Sequence, residues 1–393
     1  MKKNKPLLIK NAKIYTEDAV ITKGSLLIKD GKISEIGTEI SFSESNLEVI
    51  TLNEGEMLVP GFIDLHIHGA GGADTMDATS TALQTVSKSL PAEGTTSFLA
   101  TTITQSHDAI SKALENAGTF ENQAGQAELL GIHLEGPFIS PLRAGAQPKE
   151  YICSPTIEMF RIWEQVSNHS IKLVTLAPEE KNGFELIEYL AKNEIIASIG
   201  HSDATEAQMR KAITAGAQHV THLYNGMRGF HHREPGVAGT ALTNDELFVE
   251  LICDGIHAHP SAVKLAYLSK GADRFILITD AMRAKGLQNG TYELGGQSVF
   301  VENNRALLED GTLAGSILKM NEGMRNLIDY TGCSIEDALK MTSLNSAKQL
   351  KIDDKKGSIA EGKDADLVVL TSNFDVAMTF CRGELAYQKG ETK

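Results

Sequence analysis

Two histidines, His66 and His68, stand one residue apart at the end of an apolar run, PGFIDLHIHGAGG, that spans residues 60–72. In a β-strand, residues two apart point to the same face, so both imidazoles could reach a single metal ion. Two buried histidines bonded to the backbone would leave the same pattern in the sequence. Other residues with ligand chemistry must decide between these interpretations.

Residues of that kind follow several other short apolar runs. They are Glu135 in LLGIHLEG, His201 in IIASIGHS, His222 and Asn225 in HVTHLYNG, Asp254 and His257 after VELIC, and Asp280 after FILIT. A carboxylate in an apolar strand is costly unless it is paired, so Glu135 is either a metal ligand or half of a buried salt bridge. Imidazole and carboxylate together suit a catalytic divalent cation, for which zinc or iron is favoured and manganese or cobalt are alternatives.

Asp280 is the residue of this set best suited to move a proton. A carboxylate beside a metal-activated water can take its proton and pass it to a leaving amine, which is the chemistry of a hydrolase. Asp280 could instead be a further metal ligand, and the two roles are compatible. His133 shares the strand face of Glu135 but lies deeper, which favours a supporting role, and His219 is interpreted as a packing residue.

A second signal is the loop NGMRGFHHREPG at residues 225–236, where Arg228, His231, His232 and Arg233 stand among glycines in an acidic protein. Glycines allow close backbone approach, and arginine presents a fork of donors that matches phosphate. An exposed loop with scattered bases would look similar, but its place directly after His222 favours an anion site.

The elements that would hold these residues form a regular pattern. Eight strand-length apolar runs alternate with stretches of helical periodicity such as TEAQMRKAITAGA, and this pattern predicts an α/β fold with a TIM-like (β/α)8 barrel over residues 59–350. The runs are GFIDLHIH, TSFLATT, LLGIHLEG, IKLVTLAPE, IIASIGHS, HVTHLYNG, VELICDG and RFILITDA. Active residues of such barrels lie at the carboxyl ends of the strands, where the candidates above are found.

Both ends of the chain are instead rich in short strands, with turn signals at Asp30-Gly31 and Arg382-Gly383. We therefore predict one small β-sandwich domain made of residues 1–58 and 351–393. Two separate small sheets would produce the same sequence pattern.

Composition excludes several classes of protein. The 393 residues carry a net charge of −14, which argues against a nucleic-acid groove. The four cysteines are scattered, so neither a disulfide framework nor a cysteine zinc site is expected. No run of eighteen apolar residues predicts a membrane span, and the start MKKNKPLLIK lacks the apolar stretch of a secretory signal. A cytoplasmic protein is therefore expected.

Taken together, the motifs VPGFIDLHIHG, GIHLEGPFIS, SIGHSDA, THLYNGM, CDGIHAH, ITDAM and GKDADLVVL resemble the amidohydrolase superfamily and, within it, the deacetylases of amino-sugar phosphates. The resemblance covers nearly the whole chain, and the combination of HLEGPF, GHSDA and THLYNGM is its most specific part. It implies hydrolysis of N-acetyl-D-glucosamine 6-phosphate to D-glucosamine 6-phosphate and acetate, with one or two divalent metal ions per subunit.

Residue roles follow from the resemblance. It implies one metal ion at Glu135, His201 and His222, a second at His66 and His68 with Glu135 bridging, and Asp280 as general base and then acid. It assigns the following substrate contacts: Asn225, the backbone of Gly226 and Arg233 to the phosphate, His257 to the sugar, and Leu313, Ala314 and Gly315, within the stretch that ends at Ser316, to the acetyl pocket. Because the phosphate-binding arginine can come from a neighbouring subunit in this family, a homodimer is expected.

One position departs from the family pattern. Many members carry a histidine that polarises the amide carbonyl where this chain has Gln147. A neutral amide donates a hydrogen bond but cannot become an imidazolium, so the second metal ion could take over that task.

Three alternatives remain. The substrate could be the galactosamine epimer. The chain could be another amidohydrolase, such as a deaminase or a cyclic-amide hydrolase, although Lys172 lies at the wrong end of predicted strand 4 to bridge two metal ions. It could also be a catalytically silent barrel, although none of the ligands is missing.

Overall fold

The computed structural model describes residues 5–41 and 46–390. Parts of the predicted terminal domain and of its basic start, residues 1–4, 42–45 and 391–393, lie outside the described residues.

The strands and helices alternate through the middle of the chain and give way to strands at its ends. The strands are β1 Leu7–Tyr15, β2 Val20–Lys29, β3 Lys32–Gly37, β4 Glu48–Thr51, β5 Met57–Pro60, β6 Phe62–Ile67, β7 Gly69–Ala70, β8 Ala73–Asp74, β9 Thr95–Thr101, β10 Glu128–Glu135, β11 Ile171–Leu176, β12 Ile196–Ile199, β13 His219–Val220, β14 Phe248–Ile252, β15 Phe275–Ile278, β16 Gly290–Leu294, β17 Gln297–Glu302, β18 Arg305–Leu307, β19 Leu367–Leu370, β20 Val376–Cys381 and β21 Glu384–Gln388. The α-helices are α1 Ser80–Ser89, α2 His107–Gly118, α3 Ile157–Val166, α4 Gly183–Lys192, α5 Glu206–Ala215, α6 Gly236–Thr243, α7 Pro260–Lys270, α8 Met320–Thr331, α9 Ile335–Leu339 and α10 Asn345–Gln349. Short 3-10 turns occur at Thr75–Asp77, Leu90–Glu93, Pro141–Arg143, Lys149–Tyr151 and Ala272–Arg274, and a π-helical turn, Lys340–Leu344, joins α9 to α10.

The strands of the two chain ends form a single sheet in the order β21-β20-β19-β5-β1-β2-β3, with β4 paired to β1. β19 from the C-terminal part pairs antiparallel with β5 from the N-terminal part. Apolar residues from both parts, including Ile9, Leu26, Leu367 and Phe380, share one buried cluster. The prediction of one terminal domain is thus preferred over two separate sheets, while its boundaries at residues 58 and 351 stay a prediction.

Both predicted hairpin turns are present. Asp30 and Gly31 connect β2 to β3 with φ angles of 49° and 77°, and Arg382 and Gly383 connect β20 to β21 with φ angles of 48° and 79°. Two successive residues with positive φ are the geometry of a type I′ turn, whose twist matches that of the flanking strands.

Eight parallel strands form the barrel in the order β6-β9-β10-β11-β12-β13-β14-β15, which confirms the predicted fold class. The barrel closes between its first and last strands: a parallel bridge joins Ile67 to Ala281, and the backbone N–H of Asp280 donates to the carbonyl of His66 at 2.8 Å. This seam therefore places two of the candidate residues side by side.

Helices cover the outside of the barrel, and several begin at residues that satisfy their first N–H groups. Thr79, Ser106 and Thr156 accept from the backbone N–H three residues on, and Thr205 forms a capping box with Gln208. The apolar faces of these helices pack on the strands around fully buried aromatic residues such as Phe98, Phe160, Trp163 and Phe275. No helix among the described residues has the length and apolar character needed to cross a membrane.

Two features differ from the predicted pattern. The sixth barrel strand is only two residues long, His219–Val220, because the chain turns into a left-handed conformation at His222, whose φ is 31°. A three-stranded antiparallel sheet, β16-β17-β18, follows the last barrel strand and was not predicted. Its residues Leu294 and Val299 pack with Ile103 and Met282 beside the barrel mouth.

Candidate active site

Four imidazole nitrogens surround the carboxylate of Glu135. The Nε2 atoms of His66, His201 and His222 lie 3.4, 3.3 and 3.1 Å from Oε1, and that of His68 lies 3.4 Å from Oε2. All five side chains are almost completely buried. The candidates that the sequence spreads over more than a hundred residues therefore meet at one point.

Asp280 faces the same point from the last barrel strand. Its Oδ1 lies 3.3 Å from Nε2 of His66 and 3.2 Å from Nε2 of His68. Two of the groups with ligand chemistry in the described structure, His66–His68–Asp280 and Glu135–His201–His222, therefore lie next to each other at the barrel mouth. This is the arrangement predicted for one or two metal ions.

Each residue occupies the carboxyl end of a barrel strand. His66 lies within β6 and His68 directly after it, Glu135 is the last residue of β10, and His201, His222 and Asp280 each stand two residues beyond β12, β13 and β15. Parallel strands bring these ends to one face of the barrel, which explains why residues so distant in sequence converge.

Three of these residues have a backbone conformation that is unfavourable for side chains other than glycine. The φ angles of His201, His222 and Asp280 are 47°, 31° and 49°. Such left-handed residues cost about 1–3 kcal/mol each and cluster where function requires them. Here the turn directs each side chain back over the barrel mouth.

The charges of the cluster depend on one another. Burial alone would raise the pKa of Glu135, but contacts with His66, His201 and His222 hold it well below its usual range. Burial would lower the pKa of His68, yet Asp280 and Glu135 raise it to about 9. Without another cation, the carboxylates of Glu135 and Asp280 therefore favour the protonated forms of His66 and His68.

The residues fit a divalent cation. Neighbouring ligands of one tetrahedral ion are separated by about 3.3–3.4 Å when metal–nitrogen bonds are 2.0–2.1 Å, which matches the contacts at Glu135. Nδ1 of His201 donates to the carbonyl of Arg143 at 2.9 Å, so Nε2 is directed inward as a ligand. Within the described parts of the chain, no lysine or arginine forms an ion pair with Glu135 or Asp280, so the salt-bridge alternative for Glu135 lacks a partner.

A cavity of about 190 Å³ opens over this cluster. Most of the predicted site residues line it: His68, Glu135, Gln147, His201, His222, Asn225, Gly226, His257, Asp280, Leu313 and Gly315. Three predicted residues do not. His66 is fully buried, Ala314 is buried among apolar neighbours, and Arg233 is exposed on the loop of residues 225–236.

The sequence from residue 57 to residue 386 matches the model of the amidohydrolase family. The chain belongs to the amidohydrolase family. Amidohydrolases are metal-dependent enzymes, and the two ligand groups at the barrel mouth agree with that chemistry. The match spans the barrel and, in the terminal sheet, strands β5, β19 and β20 and part of β21.

Known amidohydrolases of similar length resemble the chain along its whole extent. It is 57% identical over 385 residues to the N-acetylglucosamine-6-phosphate deacetylase of Bacillus subtilis, covering 97% of each chain. It is 36% identical over 380 residues to the N-acetylgalactosamine-6-phosphate deacetylase of Escherichia coli O157:H7, covering 96% of this chain and 99% of that one. Among solved structures, a variant N-acetyl-D-glucosamine-6-phosphate deacetylase of Mycobacterium smegmatis, in complex with N-acetyl-D-glucosamine-6-phosphate, has a TM-score of 0.90, 28% identity, and coverage of 98% and 100%.

In this amidohydrolase, Gln147, which stands where many family members have histidine, is held by two hydrogen bonds. Its Oε1 accepts from the backbone N–H of Thr104 at 2.8 Å, which fixes the orientation of the amide. Its Nε2 then donates to Oε2 of Glu135, also at 2.8 Å. Gln147 therefore holds the central carboxylate.

Asn225, Gly226 and His257, which are predicted to bind substrate, all line the cavity. Asn225 and Gly226 follow His222, and Nδ1 of His257 lies 2.6 Å from Oδ2 of Asp254. Burial opposes a charge on His257, but the bond to Asp254 raises its pKa. A raised pKa favours the protonated imidazole, which suits contact with a hydroxyl or an anion.

Sequence reasoning overlooked two buried carboxylates of this amidohydrolase. Asp64 accepts from the backbone N–H groups of His66 and Thr279 and from the hydroxyl of Thr279. Glu250 contacts the rings of His66 and His219. The signal that identified Glu135, an acid within an apolar strand, applies to both residues, and Asp64 also shares the strand face of His66.

His133, predicted to support the site, and His219, predicted to be a packing residue, are both fully buried. His133 places Nε2 2.7 Å from the hydroxyl of Thr175, and burial, together with the proximity of His66, lowers its pKa to about 3. It is therefore neutral and does not add charge beneath the site. His219 places Nδ1 3.0 Å from Oε1 of Gln349 and faces away from the cavity.

Proposed function

We propose that the chain hydrolyses N-acetyl-D-glucosamine 6-phosphate to D-glucosamine 6-phosphate and acetate, with one or two divalent metal ions at the barrel mouth. The observation that carries this proposal is the position of Glu135, within 3.4 Å of four imidazole nitrogens, at the base of a cavity that Asp280 shares. The extended identity to a deacetylase of that substrate supports the same conclusion.

The residues have distinct tasks in the proposed reaction. A bound divalent ion supplies positive charge that acidifies water and polarises a carbonyl. Asp280 accepts a proton from the attacking water while the water oxygen bonds to the acetamide carbon. As the carbon–nitrogen bond breaks, Asp280 returns that proton to the amine nitrogen. Gln147 keeps Glu135 in place throughout.

The proposed phosphate site is formed by residues from two places, the cavity of one subunit and a loop of its neighbour. Asn225 and the backbone of Gly226 would bind the phosphate from the wall of the cavity. Arg233 would complete the site in a neighbouring subunit of a homodimer, because it is exposed on the outer loop and lies beside His232 instead of lining this cavity. Leu313 and Gly315 would line the acetyl pocket. A cytoplasmic location is also part of the proposal.

Zinc or iron is the metal that we propose, with manganese or cobalt as alternatives, since imidazole and carboxylate ligands suit all four. The galactosamine epimer is the second candidate substrate, because a deacetylase of that sugar is also a relative. A cyclic-amide hydrolase is disfavoured because Lys172, the second residue of β11, lies at the opposite end of the strand from the site and is exposed. A silent barrel is disfavoured by the complete set of ligands.

The test is acetate release from the two N-acetylated sugar phosphates by purified chain of known metal content. We expect faster turnover of the glucosamine compound. Asp280→Asn should lower kcat about 10²- to 10⁴-fold while the metal content stays near that of the unmodified chain. Full activity of that variant, or no acetate from either sugar, would show the assignment to be wrong.

A further inference from the structure

Glu250 is a fully buried carboxylate for which the proposed reaction has no task. It stands in the middle of the apolar strand FVELI, with no exposed surface. Its Oε2 lies 3.1 Å from Nδ1 of His66 and 3.3 Å from the backbone N–H of His222, and its Oε1 lies 3.1 Å from Nε2 of His219. Within the part of the chain that the structure describes, no lysine or arginine forms an ion pair with it.

The contact with His66 determines which of its nitrogens can bind a cation. An ionised carboxylate only accepts hydrogen bonds, so the nitrogen facing it, Nδ1 of His66, carries a hydrogen. The lone pair of the neutral ring is then on Nε2. That atom points toward Oε1 of Glu135 at 3.4 Å and Oδ1 of Asp280 at 3.3 Å. A lone pair facing two carboxylates needs a cation between them.

His68, the other histidine of the group His66–His68–Asp280, differs from His66. Nδ1 of His68 is buried and has no hydrogen-bond partner in the described structure. The tautomer of His68 is therefore not set by a protein group, whereas that of His66 is. Because Glu250 also binds the backbone at His222, it connects the two ligand groups of the barrel mouth.

We propose that Glu250 is a positioning residue that keeps His66 as an Nε2 ligand and so sets the affinity for a second metal ion at His66, His68 and Asp280. The inference rests on the proposed metal-dependent function. Carboxylates that hold a ligating histidine in this way typically change metal affinity about 10- to 100-fold when they are replaced.

The informative substitution is Glu250→Gln, which preserves shape but replaces one acceptor oxygen by an NH2 group. Only one of the two amide atoms can accept a hydrogen bond. An NH2 group that faces Nδ1 of His66 forces that ring into its other tautomer, and an oxygen that faces it accepts a weaker bond than the carboxylate does. In either orientation the inward lone pair on Nε2 of His66 is held less firmly. Glu250→Asp, which keeps the charge but shortens the side chain, should have an intermediate effect and serves as the second variant.

The matched control is Asp366→Asn in the terminal sheet. Asp366 is also a buried carboxylate, paired with Lys356, and its carbonyl accepts from the backbone N–H of Gly61 just before β6, at the end of the barrel opposite its mouth. Its replacement should lower the melting temperature without changing the affinity for either metal ion. A merely structural role of Glu250 would give the same result as this control.

The experiment is a titration of the metal-free full chain with Zn²⁺ in competition with a chromophoric chelator, with bound zinc counted by mass spectrometry. We expect two ions for the unmodified chain, and about 10- to 100-fold weaker binding of one of them in Glu250→Gln. Equal affinities in Glu250→Gln and the unmodified chain, or uptake of only one ion by the unmodified chain, would overturn the inference. Failure of the proposed function would appear separately, as absence of acetate release from the zinc-loaded unmodified chain.

Discussion

Metal uptake by this protein should release protons and strengthen steeply with pH. In the metal-free chain, burial opposes a charge on His68, but contacts with Asp280 and Glu135 raise its pKa to about 9. The pKa of His66 is also raised well above its usual value, against the effect of burial, by Asp280 and Glu135. A metal ion can use Nε2 of either ring only after that nitrogen has lost its proton.

The size of the pH effect on metal affinity follows from the two-unit difference between pH 7 and the pKa of His68. Removing that proton at pH 7 costs about 2.7 kcal/mol, which is about 100-fold in affinity. The contribution of His68 should therefore increase the affinity about tenfold per pH unit between pH 7 and pH 9 and level off above pH 9. His66 adds to the slope, because its proton must leave as well.

The stability of the metal-free chain changes in the opposite direction. A raised imidazole pKa stabilises the folded state fully below its unfolded value of about 6.5, and this stabilisation is lost as the pH rises through about 9. The difference of 2.5 units corresponds to about 3.4 kcal/mol. The gain in melting temperature on adding metal should consequently increase from pH 6.5 to pH 9.

Isothermal titration calorimetry in buffers of different ionisation enthalpy measures both the affinity and the number of protons released. At pH 7 we expect at least one proton for the ion bound by His66, His68 and Asp280. His68→Gln is the control, because glutamine has no proton to lose and should reduce both the release and the pH slope by about one. An affinity that is constant from pH 7 to pH 9, without proton release, would refute the reasoning.

Two further substitutions test the close packing of Gly226 against His201 and the buried ion pair of Lys285 with Glu93. Gly226→Ala should weaken zinc binding about 10- to 100-fold in chelator competition, because Gly226 has a φ of +56° and a Cβ there would lie 2.8 Å from Nδ1 of His201. Gly362→Ala, with a φ of +89° and open space around it, is the matched control and should leave zinc affinity unchanged. Lys285→Met should lower the free energy of unfolding in urea by about 3–5 kcal/mol, because it leaves the buried partner Glu93, 2.6 Å away, without a cation. A loss below about 1 kcal/mol would show that this pair is dispensable.

The sequence was sufficient to predict the barrel and to select candidate metal ligands, because both depend on local periodicity. It predicted strands at both chain ends, but that they form one sheet follows only from the pairing of β19 with β5. The two-residue spacing of His66 and His68 fixes a common face, and parallel strands carry acids and imidazoles to a common rim. These rules require no knowledge of which side chains touch.

The features that the sequence could not predict depend on how the strands contact one another in the folded chain. The partners of Glu250 come from two other segments of the barrel, and their distances follow from its register, which a single sequence does not contain. The left-handed backbone of His201, His222 and Asp280 is equally hidden, since histidine and aspartate, although enriched among non-glycine residues at positive φ, adopt it too rarely for the residue type to predict it. The β16-β18 sheet was overlooked because its short strands resemble a connecting loop.

The hydrogen bond between the N–H of Asp280 and the carbonyl of His66 joins the first and last strands of the barrel. During synthesis, His66 is made early and Asp280 much later, so this contact cannot form until the last barrel strand has been made. A metal ion bound by residues of both strands would stabilise the closure of the barrel at this point. When the metal is scarce, the barrel should therefore open there first, and amide hydrogen exchange should rise at the ends of β6 and β15 before it rises elsewhere.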